Sequence, residues 1–156
     1  MGWSDAHAFV VLCASSYSGN PVKRLDLARR AVDMARIEYP EIALFEATGI
    51  SPSKMPYAVA AANVVLVTSA HEGWPNIVKE GLACDVPFVS TDVSDLREIA
   101  DVAESCAVVE SRAESLAAAI LRARESTLSL PLRQHVLGME IGRTADRLVS
   151  DYRAAQ

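Results

Sequence analysis

Two carboxylates, Glu72 and Glu80, close the stretch "EGWPNIVKE" at either end, separated by seven residues that include Gly73, Trp74 and Pro75. Pro75 suits the first turn of a helix, because its ring fixes a helical φ and its missing N–H would find no partner there. The backbone N–H groups of Asn76, Ile77 and Val78 would then point outward with the helix dipole behind them, an arrangement suited to phosphate. Gly73 permits a left-handed turn or the close approach of a ligand to the backbone. A carboxylate at Glu80, in the first turns of that helix, can accept two hydrogen bonds from a vicinal diol such as a ribose, while Glu72, in the preceding loop, can face a sugar. On spacing alone the plainer reading is the stronger one: two surface acids around a tight loop, with Glu80 pairing to Lys79 or another base.

The elements that must position these residues follow from hydrophobic pattern. "AFVVLCA" (8–14), "IALFEA" (42–47), "VVLVTS" (64–69), "VPFVST" (86–91) and "SCAVVE" (105–110) are short, largely apolar runs. Such runs read as strands buried on both faces, hence as a parallel sheet. Between them, Leu25, Ala28, Val32 and Ala35 recur at helical spacing in Pro21–Glu38, with Asn20 as a cap and Pro40 as a stop. A short helix is expected within 51–62, others over Pro75–Cys84 and Asp95–Ala100, and another around Leu116, Ile120 and Ala123. The chain should end in a helix over 138–154 with Ile141, Ala145, Leu148 and Tyr152 on one stripe, after a joint at 125–133. This alternation predicts a single α/β domain over residues 8–156, a doubly wound, Rossmann-like parallel sheet with helices on both faces, preceded by a disordered lead-in at 1–7. Ligands in such sheets bind at the carboxyl ends of the strands, which is where "AHEG" falls.

The 156 residues are 51% hydrophobic and 22% charged, enough apolar material for a globular core. A net charge of -5 with scattered bases gives no footprint for nucleic acid. No run reaches the roughly 20 apolar residues of a membrane span and no secretory leader is visible, so a cytoplasmic location is the expectation. Cys13, Cys84 and Cys106 lack paired or metal-like spacing and read as buried free thiols. His71 abuts Glu72 but reads as a hydrogen-bonding loop residue, and His7 and His135 have no companions that would make a metal site.

"TSAHEGWPNIVKEGLACDVPFVSTDVSDLRE" resembles the signature of the glycosyltransferase group 1 family, retaining nucleotide-sugar transferases built from two Rossmann-like domains, the GT-B architecture. The likeness extends through "NPVKRLDLARRAV" and "MPYAVAAANVVLVTS", in the order of that family's C-terminal, donor-binding domain. The resemblance implies that Glu80 holds the donor ribose and that Glu72 is the catalytic acid near the transferred sugar. It implies backbone contacts to sugar or phosphate from Asn76, Ile77 and Val78, and a sugar pocket shaped by Gly73 and Trp74. Lys23 corresponds to the lysine that neutralises the donor diphosphate, with Arg24 as a weaker candidate for the same work. The family's usual mechanism uses no metal, so none is expected, nor any cofactor beyond a substrate such as a UDP-, GDP- or ADP-sugar. The sequence departs from the family pattern where an Arg often precedes the Lys, for that loop offers only Ser15, Ser16, Tyr17 and Ser18, and at Ser94, where glycine is frequent.

These readings make the chain the donor-binding half of a retaining glycosyltransferase, inactive without an N-terminal acceptor domain or a separate subunit that supplies one. The alternative is a non-catalytic interaction module that kept the fold, docking another chain or a second copy through the last helix. A dinucleotide-dependent oxidoreductase would need a Gly-x-Gly-x-x-Gly turn after the first strand, and "ASSYSGNP" contains only Gly19.

Overall fold

Five short apolar strands form one parallel sheet in the computed structural model, which describes residues 9–15, 19–126, 131–139 and 141–154. The strands are β1 (Phe9–Ser15), β2 (Ile42–Thr48), β3 (Val64–Val67), β4 (Phe88–Thr91) and β5 (Ala107–Val109), in spatial order β2-β1-β3-β4-β5. Helices α1 (Leu25–Glu38), α2 (Met55–Ala60), α3 (Asn76–Ala83) and α4 (Leu96–Ala100) join successive strands. After β5 come α5 (Ala113–Glu125), two short 3-10 turns at Leu132–His135 and Leu137–Met139, and α6 (Ile141–Ala154).

The layers follow from alternation along the strands. Val11 and Cys13 of β1, with Val64 and Leu66 of β3, pack against Leu25, Ala28 and Val32 of α1 and Leu116 and Ile120 of α5. The intervening residues Val10, Leu12, Val65 and Val67 face the opposite way, onto Val59, Ile77, Val78, Leu82 and Leu96 of α2, α3 and α4. Where strand residues meet helices on both sides, as in β3 and most of β1, the strand is apolar, while the edge strand β2 is half-exposed and carries Glu46. Phe88 is fully buried at the centre of the second layer.

The chain leaves β1 in one direction to make β2, then returns past β1 to make β3, β4 and β5. With the hand of parallel crossovers fixed, this reversal puts α1 on one face and α2 to α4 on the other, and it leaves a crevice between the carboxyl ends of β1 and β3. The loops after those two strands are the ones that hold Lys23 and Glu72.

Several boundaries differ from the sequence reading for local reasons. Helix α1 starts at Leu25 rather than Pro21, because Asn20 takes the Val22 N–H on its Oδ1 at 3.1 Å and makes a turn instead of a cap. Asn63, set between a helix and β3, holds the sheet margin: its Oδ1 accepts from the Val10 N–H at 2.8 Å and its N–H donates to the Val10 carbonyl at 2.9 Å. Cys84 is exposed at the end of α3, whereas Cys13 and Cys106 are buried. Burial pushes the Cys13 thiol up to about 12. Helix α6 begins at Ile141, later than position 138; of its expected apolar stripe Ala145 is exposed, and the side chains of Ile141, Leu148 and Tyr152 lie outside the described residues, as do positions 1–8 and 127–130.

Gly81 is a packing requirement that pattern alone does not reveal. A Cβ there would meet Val65 Cγ2 at 2.9 Å and the Val86 carbonyl oxygen at 3.3 Å, so its absence lets α3 lie close on β3. Gly81→Ala should lower unfolding free energy by about 1–3 kcal/mol despite its better helix propensity, as measured by urea denaturation. In the native protein one thiol, Cys84, should react rapidly with an aromatic disulfide reagent, and the other two only on unfolding; rapid reaction of Cys13 or Cys106 would contradict the packing.

Candidate functional site

The loop after β3 and the turn after β1 are sewn together before any side chain reaches the crevice. The Ala70 N–H donates to the Val22 carbonyl at 2.8 Å. Thr68 is buried, and its hydroxyl reaches the carbonyl oxygens of Lys23 at 2.7 Å and Arg24 at 3.1 Å. Arg24 adopts a left-handed conformation with φ 50° and ψ 51°, a strained choice for a non-glycine residue that Thr68 and the start of α1 stabilise. That bend turns the chain sharply into α1 and leaves Lys23 at the crevice. Lys23 therefore sits in the turn before α1 rather than inside its first turn.

Lys23 Nζ and Glu72 Oε1 are 2.5 Å apart, across 49 positions of sequence. The same carboxylate oxygen accepts from Ser69 Oγ at 2.5 Å, and the Ser69 carbonyl accepts from Thr91 Oγ1 at 2.7 Å. Ser69 and Thr91 are both buried, so a ladder of hydroxyls running in from β4 fixes the orientation of Glu72. Ser69 and Thr68 were not singled out by sequence reasoning; the only hint was that a buried apolar strand ends in two adjacent hydroxyl residues.

Beside this pair lies a cleft of about 770 Å³, lined by Ser15 of β1, Gly49 and Ile50 after β2, and Met55 of α2, together with Lys23, Glu72, Trp74, Asn76, Ile77 and Glu80. Among the described lining residues Lys23 carries the only positive charge and Glu72 and Glu80 the only negative ones. At the N-terminus of α3, Pro75 is the cap residue with φ −65° and ψ 118°. The amides of Asn76 and Ile77 have no acceptor among the described residues, while the Val78 N–H is engaged with the Pro75 carbonyl at 3.1 Å. Two outward amides thus remain where the sequence suggested three. Glu80 stands one turn further in; its side chain is exposed, and the desolvation it does feel against the cleft raises its pKa from the ordinary glutamate value.

The remaining expected residues fall as follows. Trp74 is half-buried on the cleft wall and takes Lys79 Nζ 5.6 Å from its ring centroid, so Lys79 is turned to the indole rather than to Glu80. Gly73 lies in the loop before α3; neither its backbone conformation nor its surroundings demand a glycine, since its φ is not positive and an added Cβ would meet nothing within 4 Å. Arg24 does not line the cleft: its Nη2 donates to Ser111 Oγ at 2.6 Å. Ser94, at the position where glycine is frequent, has φ 55°, and its hydroxyl bonds Asp95 Oδ1 at 2.9 Å. His71 is exposed, and no group of three or more potential ligands for a metal occurs among the described residues.

One ammonium and two outward amides thus face two carboxylates at the sheet's switch point, and comparison with known proteins decides the family. Residues 29–126 match the family described as glycosyl transferases group 1, a span that contains Glu72 and Glu80 and begins after Lys23. The chain belongs to the glycosyl transferases group 1. A relative, D-inositol 3-phosphate glycosyltransferase of Geodermatophilus obscurus, is 36% identical over 98 residues, covering 61% of this chain and 22% of that protein. In structure, HepE of Anabaena, solved with UDP and glucose, superposes with a TM-score of 0.75 at 15% identity, over 96% of this chain and 49% of its own. Sucrose-phosphate synthase of Thermosynechococcus elongatus gives 0.73 at 21% identity, over 97% and 47%. The pneumococcal O-GlcNAc transferase GtfA, solved with UDP and GlcNAc, gives 0.66 at 18% identity, over 94% and 35%. The chain therefore spans about half the length of the first two structures and less of the other relatives, and its fold is that of one Rossmann-like domain of a GT-B glycosyltransferase. No helix among the described residues is long and apolar enough to cross a membrane.

Thr68→Val should cost about 1–3 kcal/mol of stability, because it takes the hydroxyl donor from the Lys23 carbonyl and leaves the Arg24 carbonyl only the Leu27 and Ala28 amides of α1. Thermal and urea unfolding measure it, and a neutral result would show that the turn carrying Lys23 is held by other contacts.

Proposed function

We propose that this group 1 glycosyltransferase domain binds a nucleoside diphosphate sugar in the 770 Å³ cleft and serves as the donor half of retaining glycosyl transfer. The observation that carries the reading is the convergence of Lys23, Glu72, Glu80 and the N-terminus of α3 on one cleft at the β1–β3 switch point. Titration with UDP, GDP, ADP and their sugars tests it, and the absence of saturable binding for all of them would count against it.

In this reading the diphosphate lies between Lys23 and the amides of Asn76 and Ile77. Charge on the diphosphate grows as the glycosyl bond breaks, and a fixed ammonium with aligned amides stabilises that charge more in the transition state than in the bound donor. The ribose hydroxyls donate to Glu80, the apolar wall of Ile50 and Met55 takes the base, and Glu72 meets the sugar. The open surface beside Gly73, which neither conformation nor packing requires to be glycine, then has its reason in close ligand approach. Acceptor recognition, exclusion of water and near-attack geometry come from an N-terminal acceptor domain or a separate subunit, so the chain by itself holds donor without transferring it. Arg24, turned toward Ser111, contributes nothing directly to the diphosphate.

Glu80 gives the reading a pH signature. Ribose hydroxyls donate best to the ionised carboxylate, so binding favours that form and weakens as pH falls through the pKa of Glu80. Because desolvation raises that pKa, the loss begins at a higher pH than an ordinary glutamate would give. Glu80→Gln should weaken nucleoside diphosphate binding by roughly tenfold, the cost of one charge-assisted contact, and remove this limb of the pH profile, as followed by calorimetry.

A further inference from the structure

The one positive side chain among the described residues lining the cleft is already matched from within the chain. Lys23 Nζ and Glu72 Oε1 lie at 2.5 Å with side-chain exposures of 25% and 14%, so solvent and salt screen their interaction only in part. Glu72 is not free to swing aside at small cost. Its bonded oxygen also accepts from buried Ser69, whose backbone is tied to Thr91, and the Ala70–Val22 bond locks the loop behind it to the turn that carries Lys23. A diphosphate arriving at Lys23 thus meets an anchored carboxylate. If Lys23 turns to the phosphates, Glu72 is left part-buried and short of a donor; if it stays, two anions share one ammonium. Both outcomes oppose the diphosphate.

What would relieve Glu72 is a hydrogen-bond donor without negative charge. Sugar hydroxyls supply that, and a bare nucleoside diphosphate does not. We propose that Glu72 is a specificity-determining residue that disfavours free nucleoside diphosphate relative to the nucleotide sugar, by holding Lys23 unless a sugar hydroxyl takes its place. This deepens the donor-site reading and rests on it. The consequence for turnover is that the spent nucleotide is released more readily than the intact donor, since departure of the sugar restores Glu72 to Lys23.

The test is calorimetric titration of the full 156-residue chain, at fixed ionic strength, with UDP, GDP and ADP and with their glucose conjugates. Wild type is compared with Glu72→Gln, which keeps an acceptor oxygen for Ser69 but removes the charge, and with Lys23→Ala and the double variant. Glu72→Ala serves as a second probe of the same sign should the Gln variant melt without cooperativity. The expected result is that Glu72→Gln binds the bare diphosphate about tenfold more tightly, with no matching gain for the nucleotide sugar, and that this gain vanishes in the Lys23→Ala background. If wild type binds a diphosphate and Glu72→Gln binds it no better, or gains equally for the sugar conjugate, or gains without Lys23, the inference falls while the donor site stands. If neither wild type nor Glu72→Gln binds any of the three nucleotides, the donor site and the inference fall together.

Discussion

The ion pair between Lys23 and Glu72 bridges the point at which the chain reverses direction across its sheet, and the geometry of the cleft depends on it. Neither residue belongs to a regular element. Each lies in a loop after a buried parallel strand, and backbone and hydroxyl bonds hold those loops to one another: Ala70 to Val22, Thr68 to the carbonyls of Lys23 and Arg24, Ser69 to Glu72. The sheet places two strand ends side by side, and the hydroxyls convert that proximity into a fixed distance between opposite charges. Functional loops on a rigid scaffold are a general solution where position must be accurate to a fraction of an ångström.

The energetic logic divides between the two sides of the cleft. Around Ile50 and Met55 the walls are apolar, suited to a planar ring bound by area and backbone contacts. Around Lys23 and the start of α3 one ammonium and two helix amides face two carboxylates, Glu72 and Glu80, so the charged side chains of the lining are acidic on balance and the cleft is no generic sink for anions. The overall charge of -5 points the same way: in the proposed donor site, attraction for a diphosphate comes from the local cation and aligned amides rather than from the field of the whole molecule.

Much of the fold was legible because buried parallel strands leave a strong trace: the cores of all five strands and six helices sit where the apolar runs and helical spacings put them. What pattern could not supply was local chemistry. Asn20 could have capped a helix beginning at Pro21, but its side chain closed a turn instead and α1 began only at Leu25, after a left-handed Arg24 that no propensity argument would choose. Cys84 sits in an apolar neighbourhood of sequence yet ends a helix at the surface. At the site, the spacing of Glu72 and Glu80 around Pro75 was visible, and Lys23 stood as a candidate by resemblance, but the direct contact between Lys23 and Glu72 was not visible, because nothing across a separation of 49 positions announces which loops a sheet will bring together. The same limit hid Ser69 and Gly81, whose roles exist only once α3, β3 and β4 are packed.

The most direct measurement is a crystal structure of the chain grown with a nucleoside diphosphate sugar. The account predicts phosphate oxygens within hydrogen-bond reach of Lys23 Nζ and the Asn76 and Ile77 amides, with the ribose hydroxyls on Glu80. A nucleotide bound elsewhere, or one in the cleft with its phosphates turned away while Lys23 keeps its bond to Glu72, would contradict it.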